Sequence, residues 1–244
     1  MKAPNSAMIL AAGFGTRMGA LTQDTPKPML PMGGRPLIEH GLDIVAAAGA
    51  TRVVLNLHYL GDQVRTYLAD RTSPRVLFSE EQPEILDTGG GLKHALPLLG
   101  YDPVYSLNSD AVFRGPNPLV QLSEAWDPTA MDVLLHMVPV KQAHAYTRAG
   151  DFFLNAEGGA PQRRGPDDSA PLVYTGAQII APHVFAGTPD GPFSMNLIWD
   201  RLLAEGRLAA VTYPGQWVDV GTPEGLETAE RVLADCADHL DRGG

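Results

Sequence analysis

Close to the start of the chain, Leu10-Ala-Ala-Gly-Phe-Gly-Thr-Arg-Met18 places two glycines and an arginine behind a short apolar run. Glycines let a backbone approach a phosphate closely and aim N–H groups at it. Arg17 puts a cation inside that turn, and Lys27 follows within Pro26-Lys-Pro28. Prolines on both sides restrict the backbone around the lysine, and a cation in a rigid turn stabilises developing negative charge with little reorganisation. These residue types point to work on phosphate groups. Other readings of the glycine turn remain open on these residues alone. A dinucleotide fingerprint would need a third glycine where Met18 stands, and a helix at once, whereas residues 22–31 carry three prolines. A Walker loop would need Gly-Lys-Ser/Thr, which is absent. The plainest alternative is a tight turn after a strand, with Lys27 a solvated surface residue.

Two acids stand out further along. Asp110 follows an apolar run in Asn108-Ser-Asp110, and Asp219 lies between Val218 and Val220, just before Gly221. Either alone reads more readily as a strand-end cap. Brought together beside phosphates, they would form the usual magnesium arrangement, with substrate oxygens and waters completing the octahedron. The seven histidines show no metal-binding spacing, and His58, His94 and His136 read as structural. The one cysteine, Cys236, falls in a helix-like stretch and excludes both an internal disulfide and a thiolate cluster.

These residues need elements to position them. Residues 7–12 read as a buried parallel strand halted by Gly13. Pro36 opens a helix with Leu37, Ile38, Leu42 and Val45 on one face and Gly49 just past its end. Strands are expected at 52–57, 75–79 and 104–108, with helices at 62–68 and 91–99. This β-α-β-α-β alternation implies an α/β fold with a doubly wound, mainly parallel sheet. Ligands of such sheets bind outside the carboxyl ends of the strands, where the loops starting at Gly13, Glu80 and Asn108 must lie. The pattern then loosens. A strand is expected at 132–138, then a Gly-, Pro-, Asp- and Arg-rich stretch over 141–171 in which only 152–154 is strand-like. A helix within 192–206, strands at 208–213 and 216–220, and a last helix from Thr222 complete a substrate-side extension of the same sheet.

With 244 residues, 44% of them hydrophobic, the chain can bury a substantial core, and its formal net charge of −10 disfavours binding to nucleic acid. No run approaches the ~18 apolar residues of a membrane span, and no signal segment is recognisable, so no membrane association and a cytoplasmic location are expected.

Leu10-Ala-Ala-Gly-x-Gly-Thr-Arg-Met18 with Pro26-Lys-Pro-Met-Leu-Pro31 resembles the signature of the sugar-1-phosphate nucleotidyltransferases, the sugar-nucleotide pyrophosphorylases. The likeness continues through Thr88-Gly-Gly-Gly91, Asn108-Ser-Asp110 and Trp217-Val-Asp-Val-Gly-Thr-Pro223. It implies a Rossmann-like nucleotidyltransferase fold in one domain over 1–244, with a nucleotide-binding half to about 130 and a sugar-binding half beyond. It implies transfer of a nucleoside monophosphate from a nucleoside triphosphate to a sugar 1-phosphate, with release of pyrophosphate and Mg²⁺ as cofactor. By the same resemblance Ala12, Gly13, Gly15, Thr16 and Arg17 contact the nucleotide, the last three at its β- and γ-phosphates. Lys27 stabilises the α-phosphate under attack and acts with Arg17 in catalysis. Gln82, Thr88 and Gly89 meet base and ribose, Asn108 touches nucleotide or sugar, and Asp110 and Asp219 hold the metal. Two departures are Ser109, where many relatives carry Gly, and Gly19-Ala20, where close relatives often carry Arg-Pro.

Arg148-Ala-Gly-Asp-Phe152 and Tyr174-Thr-Gly176 resemble the branch that uridylylates N-acetylmuramate 1-phosphate, which implies UTP as donor and sugar contacts from Asp151, Thr175 and Gly176. On residues alone, Gly150-Asp151 is also readable as a plain turn. Short guanylyltransferases acting on mannose 1-phosphate, and nucleotidyltransferases acting on glucose 1-phosphate, share both phosphate loops and stay open as alternatives. So does a non-catalytic nucleotide-sugar-binding subunit, although such a protein would be expected to lose Lys27 or one of the two acids. Longer relatives carry a β-helical acyltransferase domain, so a single activity is expected here.

Overall fold

The computed structural model describes residues 3–155 and 160–240, without side chains for 235–240. The first half holds β1 (Ser6–Leu10), β2 (Pro31–Met32), β3 (Arg35–Pro36), α1 (Leu37–Ala47), β4 (Arg52–Leu57), α2 (Gly61–Tyr67) and β5 (Arg75–Glu80). Next come α3 (Asp87–Leu99), β6 (Val104–Asn108), β7 (Ala111–Arg114) and α4 (Pro118–Ala125). The second half holds β8 (Val133–Pro139), β9 (Ala143–His144), β10 (Phe152–Leu154), β11 (Pro161–Arg163) and β12 (Leu172–Ile180). It ends with α5 (Asn196–Ala204), β13 (Leu208–Thr212), β14 (Gln216–Asp219) and α6 (Pro223–Leu240), so Cys236 lies on the backbone of a helix as expected.

Nine strands form the main sheet, in the order β11-β10-β12-β6-β1-β4-β5, with β8 beside β12 and β13 beside β8. β1 pairs in parallel with β4 and β6, and β4 with β5, while β12 runs antiparallel to its neighbours. Among the described residues only β11 and β12 oppose the common direction, so the sheet is mainly parallel. β1 lies at its centre with Ala7, Met8 and Ile9 fully buried, which is why that segment reads as an unbroken apolar run. The helix face read from the sequence is the buried one: Leu37, Ile38, Leu42 and Val45 are all at or below 1% exposure. Each such side chain contributes about 1.5–3 kcal/mol of burial.

Helix α3 starts four residues before the expected Gly91, so Thr88-Gly-Gly-Gly91 forms its first turn. Close packing accounts for the glycines: a Cβ on Gly89 would lie 2.4 Å from the Phe193 ring, one on Gly90 2.4 Å from the Gly191 carbonyl, and one on Gly91 2.5 Å from Glu81 Oε1. Helix α4 was not expected, yet Asn117 caps it, accepting from the N–H groups of Leu119 (2.9 Å) and Val120 (3.2 Å). Nor was the long strand β12, whose pattern is interrupted at Gly176. The strand at 216–220 departs from expectation in another way. β14 leaves the main sheet and forms a separate one in the order β7-β14-β9, so Asp219 is carried by a second sheet. Among the described residues, no helix is long and apolar enough to cross a membrane.

Candidate active site

The carboxyl ends of β1, β4 and β5 are tied by one buried polar chain. The Ala11 N–H donates to Asn56 Oδ1 (2.7 Å), Asn56 Nδ2 donates to Glu81 Oε1 (2.7 Å), and Glu81 Oε2 accepts from the Leu86 N–H (2.8 Å). Glu81 is completely buried. A carboxylate in that position is tolerated only because both its oxygens are hydrogen-bonded. The segments at the carboxyl ends of β1, β4 and β5 are thereby fixed to one another.

The glycine turn folds back onto the lysine. Gly15 sits at φ +66°, and a Cβ there would lie 3.0 Å from Thr22 and 3.2 Å from Lys27 Cβ. Thr22 Oγ1 donates to the Gly15 carbonyl at 3.0 Å, closing the turn. Lys27, only 11% exposed, places Nζ 2.6 Å from Asp110 Oδ2. Arg17 lies across Gly221, where a Cβ would come within 2.5 Å of the guanidinium, and reaches Asp219 Oδ2 at 3.9 Å.

Backbone pairing brings the two acids side by side. Asp219 on β14 stands opposite Ala111 on β7, and the Val220 N–H donates to the Asp110 carbonyl at 3.0 Å. Their electrostatics diverge. Burial opposes ionisation of Asp110, but the Lys27 ammonium outweighs it and holds the carboxyl below its ordinary range. Burial and the charge of Asp110 push Asp219 upward, with Arg17 and Lys27 in opposition. Two carboxylates that raise one another's cost of ionisation invite a cation between them.

Two cavities meet at this place. One of about 330 Å³ is lined by Ala12, Gly13, Gly15, Thr16, Arg17 and Lys27 together with Asn56, Asp87, Thr88, Asn108 and Asp110. The second, about 420 Å³, is bounded by Arg17, Asp110, Asp219, Asp151, Arg148 and Trp199 among others. Leu10, Arg17, Asp87, Thr88, Asn108 and Asp110 belong to both, so one cation and two acids stand at the shared edge, with Lys27 beside it in the first cavity. Asp151 faces the second cavity with its carboxylate engaged: Oδ1 accepts from the Tyr146 hydroxyl (3.2 Å) and Oδ2 from the Tyr174 N–H (3.1 Å).

Four residues singled out in the sequence lie elsewhere. Glu81 points inward, so its neighbour Gln82 turns out, exposed, into a third cavity with Lys93, His94 and Asp190. The Gly89 N–H is taken by the Phe193 carbonyl at 2.9 Å. Tyr174 faces the second cavity, so Thr175 faces away, fully buried, with Oγ1 donating to the His136 carbonyl at 3.1 Å. Gly176 backs the site instead of lining it: at φ +85°, a Cβ there would sit 2.8 Å from Asn108. Of the histidines read as structural, His58 and His94 donate to the Glu81 and Glu80 carbonyls. Asn56, Asp87, Arg148, Trp199 and Trp217 were not assigned roles from the sequence. Asn56 was the most discoverable, as a lone amide in an apolar strand.

This geometry can be set beside known proteins. Residues 7–146 match the MobA-like NTP transferase domain. Over 240 residues the chain is 41% identical to the N-acetylmuramate alpha-1-phosphate uridylyltransferase of Caulobacter vibrioides, covering 96% of this chain and 99% of that one. It is 31% identical over 234 residues to a mannose-1-phosphate guanyltransferase of Aspergillus fumigatus, covering 91% of this chain and 62% of the relative. The fold superposes on the inositol-1-phosphate CTP transferase from T. maritima with a TM-score of 0.77 at 16% identity, over 95% of this chain and 97% of the other. A match over residues 7–146, more than half of the chain, which takes in the glycine turn, the half-buried Lys27 and Asp110, makes the chain a member of the MobA-like NTP transferase family.

Proposed function

We propose that this protein is a single-domain nucleotidyltransferase that moves a uridylyl group from UTP to N-acetylmuramate 1-phosphate, releasing pyrophosphate. The meeting of Lys27, Arg17, Asp110 and Asp219 where the two cavities join carries the reading. The near full-length likeness to the Caulobacter vibrioides uridylyltransferase supports this pair of substrates over mannose 1-phosphate and GTP, since that likeness is greater and spans both chains. Retention of Lys27 and both acids favours an enzyme over a binding subunit.

In the reaction a phosphate oxygen of the sugar bonds to the α-phosphorus, the α–β bridging bond breaks, and its electron pair leaves on pyrophosphate. The attacking phosphate is already an anion, so no general base is required. The barrier lies in bringing polyanions together and stabilising the charge that develops. Gly13, Gly15, Thr16 and Arg17 cradle the triphosphate beside Ala12, and Lys27 serves the α-phosphate. Asp87 and Thr88 face the nucleoside, Asn108 stands between the substrates, and Asp151 orders the sugar cavity. Gln82 is given no contact, because it faces another cavity.

Asp110 and Asp219 fit Mg²⁺, which binds through one or two carboxylates and keeps waters and substrate phosphates for its other positions. Among the described residues no third His, Cys, Asp or Glu joins them, so a closed protein cage is not formed. When bound, the ion supplies positive charge at the reacting phosphates. We place this chemistry in the cytoplasm, where nucleoside triphosphates are available. The test is pyrophosphate release and product mass from UTP, GTP, CTP and dTTP, each with N-acetylmuramate, N-acetylglucosamine, mannose and glucose 1-phosphates. UDP-N-acetylmuramate should form fastest, and EDTA should stop the reaction until Mg²⁺ is restored. Equal rates for all pairs, or activity in EDTA, would overturn the reading.

A further inference from the structure

The second cavity contains three arginines, and two are committed. Arg17 faces Asp219 at the shared edge. Arg163 is held by Asp200 Oδ1 (2.7 Å) and the Asn196 carbonyl (3.3 Å), over the rings of Phe152 and Trp199. Arg148 is different. Among the described residues no carboxylate lies within ion-pair distance of it, and its guanidinium rests on the Tyr146 ring, 5.0 Å from the centroid. Tyr146 is itself anchored: its hydroxyl donates to Asp151, accepts from the Gly150 N–H at 3.1 Å, and its ring meets Trp217 edge-on. Gly150, at φ +83°, lies so close to the Ala170 carbonyl that a Cβ would be 2.0 Å away, which pins the turn carrying Arg148 to the segment just before β12.

Arg148 lines the second cavity and not the first, so it stands off the phosphate-handling edge. That cavity also presents Asp110, Asp151 and Asp219. A sugar bearing a second anion would meet repulsion there unless a free cation received it. N-acetylmuramate differs from N-acetylglucosamine by a lactyl ether that ends in a carboxylate. A guanidinium offers that group a planar, bidentate partner. We propose that Arg148 takes the lactyl carboxylate and thereby selects N-acetylmuramate 1-phosphate over N-acetylglucosamine 1-phosphate. This assignment rests on the sugar substrate proposed above.

The experiment compares wild type, Arg148→Gln and Arg148→Lys for kcat/KM on both sugar 1-phosphates with UTP. Where N-acetylglucosamine 1-phosphate turns over too slowly, its Ki as a competitor replaces the rate. The preference for N-acetylmuramate 1-phosphate should fall about 10- to 100-fold in Arg148→Gln and less in Arg148→Lys. Melting curves and the KM for UTP should match wild type. If both sugars weaken equally, the residue serves the shared phosphate, and if neither weakens it serves no ligand. Either result overturns the assignment. Failure of the substrate reading would show separately, as wild-type enzyme that does not turn over N-acetylmuramate 1-phosphate.

Discussion

At the scale of single residues, the proposed reaction leans most on Lys27. Its charge is mostly shielded from water and lies 2.6 Å from Asp110, so its field is strong in the cavity it lines. The same ammonium keeps Asp110 ionised against burial. Lys27→Ala should lower kcat by about 10²- to 10³-fold while circular dichroism stays native, because the residue spans a cavity and fills no core. Single-turnover rates with saturating substrates would measure this. Near-native rates would remove Lys27 from catalysis.

Elements determine how closely the two halves of the site approach. Strand β12 pairs β6 through Ala177–Ile180 and β8 along most of its length, with a register shift between Tyr174 and Gln178. Gly176 occupies that irregularity and lets Asn108 stand against the backbone. Gly176→Ala should cost about 1–3 kcal/mol in denaturant melts and raise the KM for the sugar phosphate. Adding Asn108→Ala should recover part of the lost stability, since it removes the side chain the new methyl would strike. A single variant as stable as wild type would refute the packing argument. The same strand explains His136. It is fully buried, with Thr175 Oγ1 at 2.9 Å and Gln121 Oε1 at 3.0 Å, and burial pushes its pKa down to about 3. Below about pH 6.5 the unfolded chain binds a proton that the folded one refuses, so stability falls as pH drops from there toward 3. His136→Gln should make unfolding free energy less steep over that window by about one proton. Equal slopes would mean that His136 is protonated in the fold.

Over the whole molecule, the two halves of the chain share one sheet. Leu107, Ser106, Tyr105 and Val104 of β6 are opposed by Ala177, Gln178, Ile179 and Ile180 from the second half. A fragment of residues 1–130 would expose β6 as a long apolar edge, the usual template for aggregation. It should be insoluble or aggregated by size-exclusion chromatography where the full chain is not. A soluble, folded fragment would argue for two independent units instead.

Much of this protein is legible in the order of its residues. Helix α1, strands β1, β4 and β5 and the glycine turn each declare themselves, because apolar spacing and Gly or Pro punctuation act within a few residues of one another. Helix α4 was also open to reading through Asn117 and Pro118, a cap followed by a first-turn proline. Other facts have no local signature. Gln82 turns away because Glu81 is claimed by Asn56 and the Leu86 N–H, and Thr175 is buried because Tyr174 takes the cavity side. Asp219 reaches Asp110 only because β14 abandons the main sheet to pair with β7. A residue pattern states which face of an element avoids water. Strand partner and register, which emerge only from the assembled core, decide what that face meets.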